Sequence, residues 1–229
     1  TLLCTKRAEE MLAHYYQISD GIHVVTDGET LELGTHTLQF FMTPMVHWPE
    51  TMMTYEVSQR VLFSCDAFGS YGALQGAVFD DQCRDLSFYE EQALRYYANI
   101  VALFARPVVR AIEKLADVRI DVVAPSHGLI WRKSPTRIVD LYAKWANYAL
   151  EGPEVGVTLL YGTMYGNTEE MVEAVAAGVA KAGVQLDIYD VRHIHASYIL
   201  PSLYTRSGVL VGAPTYEGEL FPPMAHVLD

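Results

Sequence analysis

The stretch "LLYGTMYGNTEEM", residues 159–171, decides the fold of the second half of the chain. An apolar run feeds a short loop of Gly, Thr and Asn, and the loop opens directly into a helix-forming sequence. Backbone N–H groups of such a loop, together with the helix N-terminus, make an anion site. The hydroxyls of Thr163 and Thr168 add side-chain donors, and Gly166 permits close approach or positive φ. The loop residues are Thr163, Met164, Tyr165, Gly166, Asn167 and Thr168. Their spacing is not GxxxxGK[ST] and they include no Lys, which disfavours a magnesium-dependent nucleoside-triphosphatase loop. It is not GxGxxG either. The plainer reading is a polar turn that caps a helix.

Strands and helices alternate around this loop. "VGVTLLY" reads as a strand, 168–182 as a helix, "VQLDIYDV" as a second strand and "SGVLVGAPTY" as a third. That alternation predicts a doubly wound parallel sheet, with ligands beyond the carboxyl ends of its strands. Upstream, "ALEGPEVG" (149–156) carries Gly and Pro where the pattern changes. It reads as a linker dividing the chain into domains 1–150 and 151–229.

The first half has a different texture. Residues 6–16 read as an amphipathic helix, with Met11, Leu12, Tyr15 and Tyr16 on one face. "IHVVTDGETLELGTHTLQFFMTPMVHW" reads as several strands with Gly-containing turns, and "MTYEVSQRVLFSCDAFG" as two more around a polar turn. The stretch 85–116 is helical, in two pieces broken near Pro107. "IDVVAPSHG" is a short buried strand ending in a loop. Residues 134–150 form a helix, with Ser134 as N-cap and Pro135 in the first turn.

Composition bounds the function. The 229 residues carry a net charge of -12, with 51% hydrophobic and 19% charged residues. This is a globular composition, and its acidity argues against nonspecific binding to nucleic acid or to an anionic membrane. The three cysteines, Cys4, Cys65 and Cys83, form no CxxC pair, so a disulfide framework is not expected and a reducing cytoplasm is. "TLLCTKRAEE" lacks the features of a signal peptide, and no apolar run reaches the roughly 18 residues of a membrane helix.

Three residues of the first half share one context, an apolar strand running into a polar side chain. His47 lies in "TPMVHWPETM", Asp66 follows "VLFSC", and His127 follows "IDVVAPS". Imidazoles and a carboxylate at strand ends suit iron, zinc or manganese. A carboxylate can bridge two ions, so Asp66 would be the bridge and the histidines terminal ligands. The spacing alone is a weak signal, and a packed histidine is the plainer reading of His47. His14, His23, His36 and His226 have no ligand context. His193 and His195 form an HxH pair where a loop is expected and are read as nonmetal. Tyr15, Tyr16, Tyr96 and Tyr97 fit helix faces and are read as core. Trp48 and Trp131 flank the proposed ligands.

The loop at 163–168 resembles the flavodoxin pattern [ST]-x-[TY]-G-N-T, which cradles the FMN phosphate. "VGAPTYEGELFPPM" (211–224) resembles the flavodoxin loop beside the isoalloxazine ring, with Pro214, Thr215, Tyr216 and Glu217 in its positions. The order strand-His, strand-Asp, strand-Ser-His-Gly is that of the metallo-β-lactamase superfamily. More narrowly, "TPMVHWPETMMTY", "LFSCDAFG", "YYANI" and "APSHGLIWR" resemble the flavodiiron proteins, or A-type flavoproteins, which join a β-lactamase-like αββα sandwich to a flavodoxin domain in this order.

The resemblance implies an α/β chain with FMN and two Fe ions. His47 would ligate one iron, His127 the other, and Asp66 would bridge them. It implies reduction of dioxygen to water or of nitric oxide to nitrous oxide. The electrons would come from a reduced deazaflavin coenzyme, from rubredoxin or from an NAD(P)H-dependent reductase. It implies a head-to-tail homodimer or tetramer that brings one subunit's flavin to the other's irons. The family's H-x-E-x-D-H motif is not in this sequence, and three flavodoxin strands are evident where that fold has five. The chain is therefore expected to be the middle of a longer protein. The alternatives are a metallo-β-lactamase-fold hydrolase with a flavodoxin-like accessory module, or an electron carrier with a degenerate first half.

Overall fold

The computed structural model describes residues 1–229, which divide into two compact units, Thr1–Asn147 and Tyr148–Asp229. In the first unit, β1 (Leu2–Cys4) pairs in parallel with β2 (Ile22–Val24) across α1 (Lys6–Tyr16). The Thr5 side chain caps α1 by accepting from the Ala8 amide at 3.1 Å. The helix falls where its sequence predicts, but its apolar face is not covered. No residue of α1 is buried, and Tyr15 and Tyr16 are each about 70% exposed. Amphipathic spacing gives the helix, and only tertiary packing decides whether its face is used.

A five-stranded sheet follows: β3 (Thr30–Leu33), β4 (His36–Met42), β5 (Met52–Glu56), β6 (Val61–Phe63) and, far along the chain, β7 (Val122–Ala124). The order is β3-β4-β5-β6-β7, antiparallel except for the parallel pair β6 and β7. The alternation of strand residues sorts its two faces. Tyr55, Leu62 and Val123 stand side by side across three strands and are buried. Leu62 and Val123 are wholly buried, each contributing roughly 1.5–3 kcal/mol. The opposite row, Thr54, Phe63 and Ala124, is open, and Phe63 is half exposed.

Between β6 and β7 run α2 (Leu86–Tyr96) and α3 (Ala105–Lys114). Asp85 caps α2 by accepting from the Phe88 amide. The break between the two helices lies just before Pro107. A π turn over Tyr97–Val101 and a 3-10 turn over Ala102–Phe104 make it, and they leave Tyr97 and Val101 buried. Pro107 sits in the first turn of α3, where a missing N–H costs nothing. Beyond β7, α4 (Pro135–Glu151) contributes Ile138, Tyr142, Trp145 and Ala146 to the core. Asp80 anchors its start, accepting from the Arg132, Lys133 and Ser134 amides at 3.0–3.1 Å. The expected linker shrinks to Gly152 and Pro153, because α4 runs on to Glu151 and the next strand starts at Glu154.

The second unit holds β8 (Glu154–Tyr161), α5 (Asn167–Lys181), β9 (Leu186–Asp190), α6 (Ala196–Thr205), β10 (Arg206–Gly212), the short β11 (Thr215–Tyr216) and β12 (Glu219–Leu220), and α7 (Pro222–Leu228). Its sheet is parallel throughout, in the order β9-β8-β10. The chain passes from β8 outward to β9, then back across to β10, so a topological switch point lies between β8 and β10. Leu160, Val191, Ile199, Phe221 and Met224 form the core. The α6 helix carries Pro201 in its interior, which masked it in the sequence.

Candidate functional site

Asp66 and His127 each lie three residues beyond the end of a strand, β6 and β7, and those strands are parallel neighbours. Their loops therefore emerge side by side. His47 is not at a strand end. It lies five residues past β4, in the turn that leads to β5. That turn is held by Thr43 N–H to the Thr51 carbonyl (3.1 Å) and by Met45 N–H to the Trp48 carbonyl (2.7 Å). Met45, Cys65 and Phe68 adopt positive φ around these ligand candidates. Such backbone persists only where surrounding structure imposes it, and it concentrates at functional sites.

The three side chains meet. Asp66 Oδ2 lies 3.3 Å from His47 Nε2, and Oδ1 lies 3.8 Å from His127 Nε2. Each carboxylate oxygen thus faces a different imidazole. No set of three or more His, Cys, Asp or Glu side chains surrounds a single point. The donor set fits a pair of ions that share Asp66 better than it fits one ion in a closed cage. Each ion would see one imidazole nitrogen and one carboxylate oxygen here, and would need further ligands.

The surroundings orient these groups. His127 Nδ1–H donates to the Ser70 carbonyl at 3.0 Å, which fixes the tautomer and leaves the Nε2 lone pair toward Asp66. The Ser126 amide donates to the Cys65 carbonyl at 2.7 Å, so the two loops are tied directly. Tyr142 is fully buried, and its hydroxyl donates to the Gly69 carbonyl at 2.7 Å. The Tyr96 ring stands edge-on to His127, with centroids 4.7 Å apart, and lies 6.5 Å from His47. Its hydroxyl is buried without a hydrogen-bond partner. Burial first, and then the Asp66 carboxylate, push the Tyr96 phenol far above its usual range, so it holds its proton at all ordinary pH. Reading Tyr96 as plain core misses this placement. Burial and then Asp66 also raise the Cys65 thiol, which makes it a poor nucleophile. Trp131 is buried core, whereas Trp48 is more than half exposed.

In the second unit, both expected loops leave the carboxyl ends of β8 and β10, at the switch point. Thr163 is buried, and its Oγ1 accepts from the Gly166 amide at 3.0 Å. Gly166 has φ +92 and leads into α5. Thr168 packs its methyl 3.5 Å from where a Cβ on Gly212 would stand. Met164 and Tyr165 project outward, Tyr165 being 86% exposed. The second loop is a hairpin rather than an open loop. Thr215–Tyr216 pairs with Glu219–Leu220, and Glu217 and Gly218 both take positive φ at its tip, as tight hairpins require. Thr215, Tyr216 and Glu217 lie on this hairpin, and Pro214 precedes it. Gly166 leaves open space at the loop, and Tyr165 and Tyr216 are exposed, features that suit a phosphate with an attached ring.

Four of the remaining histidines have ordinary partners. His36 pairs with Glu56 and His23 with Glu29, each at 3.1 Å. His195 caps α6 by accepting from the Ser197 amide, and His193 is exposed beside Asp190. All three cysteines are free, and no helix is long and apolar enough to cross a membrane.

Residues 1–128 match the model of the ODP family beta lactamase, and residues 159–225 match flavodoxin. The chain belongs to the flavodiiron protein family. It is 36% identical over 234 aligned residues to the anaerobic nitric oxide reductase flavorubredoxin of Escherichia coli, covering 100% of this chain and 48% of that protein. It superposes on rubredoxin oxygen:oxidoreductase from Desulfovibrio gigas with a TM-score of 0.87 at 30% identity, over 99% of this chain and 56% of that one. The flavodiiron protein from Giardia intestinalis gives a TM-score of 0.88 at 28% identity, over 99% of this chain and 55% of that one. The chain thus spans about half the length of the relatives it matches. These relatives are oxidoreductases and lend no support to the hydrolase alternative. The family uses FMN and a non-haem diiron site.

Proposed function

We propose that this chain carries part of the machinery of an oxidoreductase that reduces nitric oxide to nitrous oxide, dioxygen to water, or both. Residues 1–150 would serve the diiron domain and 151–229 the FMN domain. The observation that carries the reading is Asp66, whose two oxygens each face the Nε2 of a different histidine.

When bound, the two irons would bind and polarise the substrate while FMN supplies electrons. His47 and His127 would each present an imidazole nitrogen, and Asp66 one oxygen to either ion. The Ser70 carbonyl holds the His127 proton on Nδ1 and keeps Nε2 available. Tyr96 keeps its phenolic proton beside these groups as a donor with no competing partner. In the second unit the 163–168 loop would hold the FMN phosphate, and Pro214 with the Thr215–Glu217 hairpin would border the ring. The relatives' printed names favour rubredoxin as electron donor. A reduced deazaflavin coenzyme and an NAD(P)H-linked reductase are the other donors to assay. A head-to-tail homodimer and a cytoplasmic location complete the proposal.

The test is metal and flavin stoichiometry of the protein that carries this chain. About two irons and one FMN per chain support the reading. Zinc without flavin overturns it. Rates with nitric oxide and with dioxygen then assign the substrate.

A further inference from the structure

Arg192 stands two residues beyond the end of β9. Its Nη1 donates to the carbonyl of Thr163 at 2.9 Å. Its Nε donates to both oxygens of Asp190, at 2.9 and 3.1 Å. Asp190 also accepts from the Arg192 amide at 3.0 Å, which closes a compact unit at the strand end. The guanidinium is thus fixed on one side by a carboxylate and spends a donor on a single loop carbonyl. A planar fork with several donors suits this bridging, and a lysine would lose one of the two connections.

Thr163 is where the 163–168 loop begins, and it is buried. Its Oγ1 holds the Gly166 amide, and its carbonyl is held by Arg192. The loop is therefore clamped at its first residue from two directions. One clamp is local and the other reaches across from the neighbouring strand. No other residue of β9 or its trailing turn donates a hydrogen bond to this loop.

The charges around the loop give Arg192 a second role. Asp190 and Glu169 both act on the guanidinium and raise its pKa, after the hydrogen bond to Asp190. Tyr161 lies in the same field. With Arg192 present, the Asp190 carboxylate is neutralised. Without it, the Asp190 carboxylate would stand uncompensated near the loop that Arg192 now tethers, which disfavours a dianionic phosphate there.

We propose that Arg192 is a positioning residue for the phosphate loop: it fixes Thr163 through its carbonyl and cancels the charge of Asp190, so that the loop accepts a phosphate ester. It acts through Thr163, and no contact of Arg192 with the ligand is required. This inference rests on the FMN reading of the loop.

The experiment compares FMN with riboflavin, which has the same ring and no phosphate. Each is titrated into the flavin-free chain and followed by flavin fluorescence, for the parent, Arg192→Met and Arg192→Lys. FMN affinity is expected to fall roughly tenfold or more in Arg192→Met, as for loss of a charged hydrogen bond. Riboflavin affinity is expected to stay within about twofold. Arg192→Lys keeps the charge and is expected to recover part of the loss. A purely structural role predicts equal losses for both flavins, and that result overturns the inference, as does an unchanged FMN affinity. A parent chain that binds neither flavin, or both equally, overturns the phosphate-loop reading itself.

Discussion

Gly69 and His127 are packed so closely that no side chain fits between them. A Cβ built on Gly69 would lie 2.6 Å from Cε1 and 2.9 Å from Nδ1 of the imidazole, and 2.9 Å from the Asp66 carbonyl oxygen. The ring is tethered by its bond to the Ser70 carbonyl. Gly69→Ala is therefore expected to displace His127 and weaken iron binding by about 10–100-fold, the range for loss of a group that orients a ligand. Iron titration of the variant against the parent checks this, and an unchanged affinity would show that the ring position is not fixed by Gly69.

Tyr142 supports the same loop from the core. Its hydroxyl is the buried partner of the Gly69 carbonyl. Tyr142→Phe keeps the ring contacts with Phe68, Tyr97 and Trp145 and removes only the donor. The loss is expected to be about 1–3 kcal/mol, the cost of an unsatisfied buried carbonyl. Urea unfolding measures it.

Tyr96→Phe should behave in the opposite way. The hydroxyl that it deletes is buried and has no partner. Stability should stay within about 1 kcal/mol of the parent or rise. A larger loss would reveal a partner that the chain does not show.

Asp80 makes stability depend on pH. Burial pushes its carboxyl up, but amide donors from Arg132, Lys133, Ser134 and Asp81 outweigh that and hold it below the usual range. A carboxyl lowered in the folded state contributes stability that is fully present above its unfolded pKa, about 3.9. The contribution fades as pH falls through the lower folded value. Asp80→Asn should therefore cost about 1–3 kcal/mol near neutrality and progressively less in acid. Unfolding midpoints of parent and variant, measured from neutral pH down to acid, should converge.

The second half was legible because its signals are local. Strand, loop and helix around Thr163–Thr168 follow from adjacent residues, and the parallel order follows from alternation. The α6 helix escaped because Pro201 lies inside it. In the first half, Asp66 and His127 stand where their strands end, as their context suggested. His47 does not, because the turn before it is set by Thr43 and Thr51 pairing across nine residues of chain. The placing of Tyr96, Gly69 and Arg192 was beyond sequence reasoning for one reason. Each matters through a partner distant in the chain, and one sequence records no such pairing.

The lacing of the Asp66 and His127 loops has an evolutionary consequence. Ser126 is bound to Cys65, and His127 and Ser70 are bound to each other in both directions, amide to carbonyl and imidazole to carbonyl. Neither loop can lengthen, shorten or turn without moving the other. Across descendants of this chain the two segments should drift as one heritable block, with insertions excluded from both. The hairpin at Thr215–Leu220, held by its own ladder, is not laced into that block.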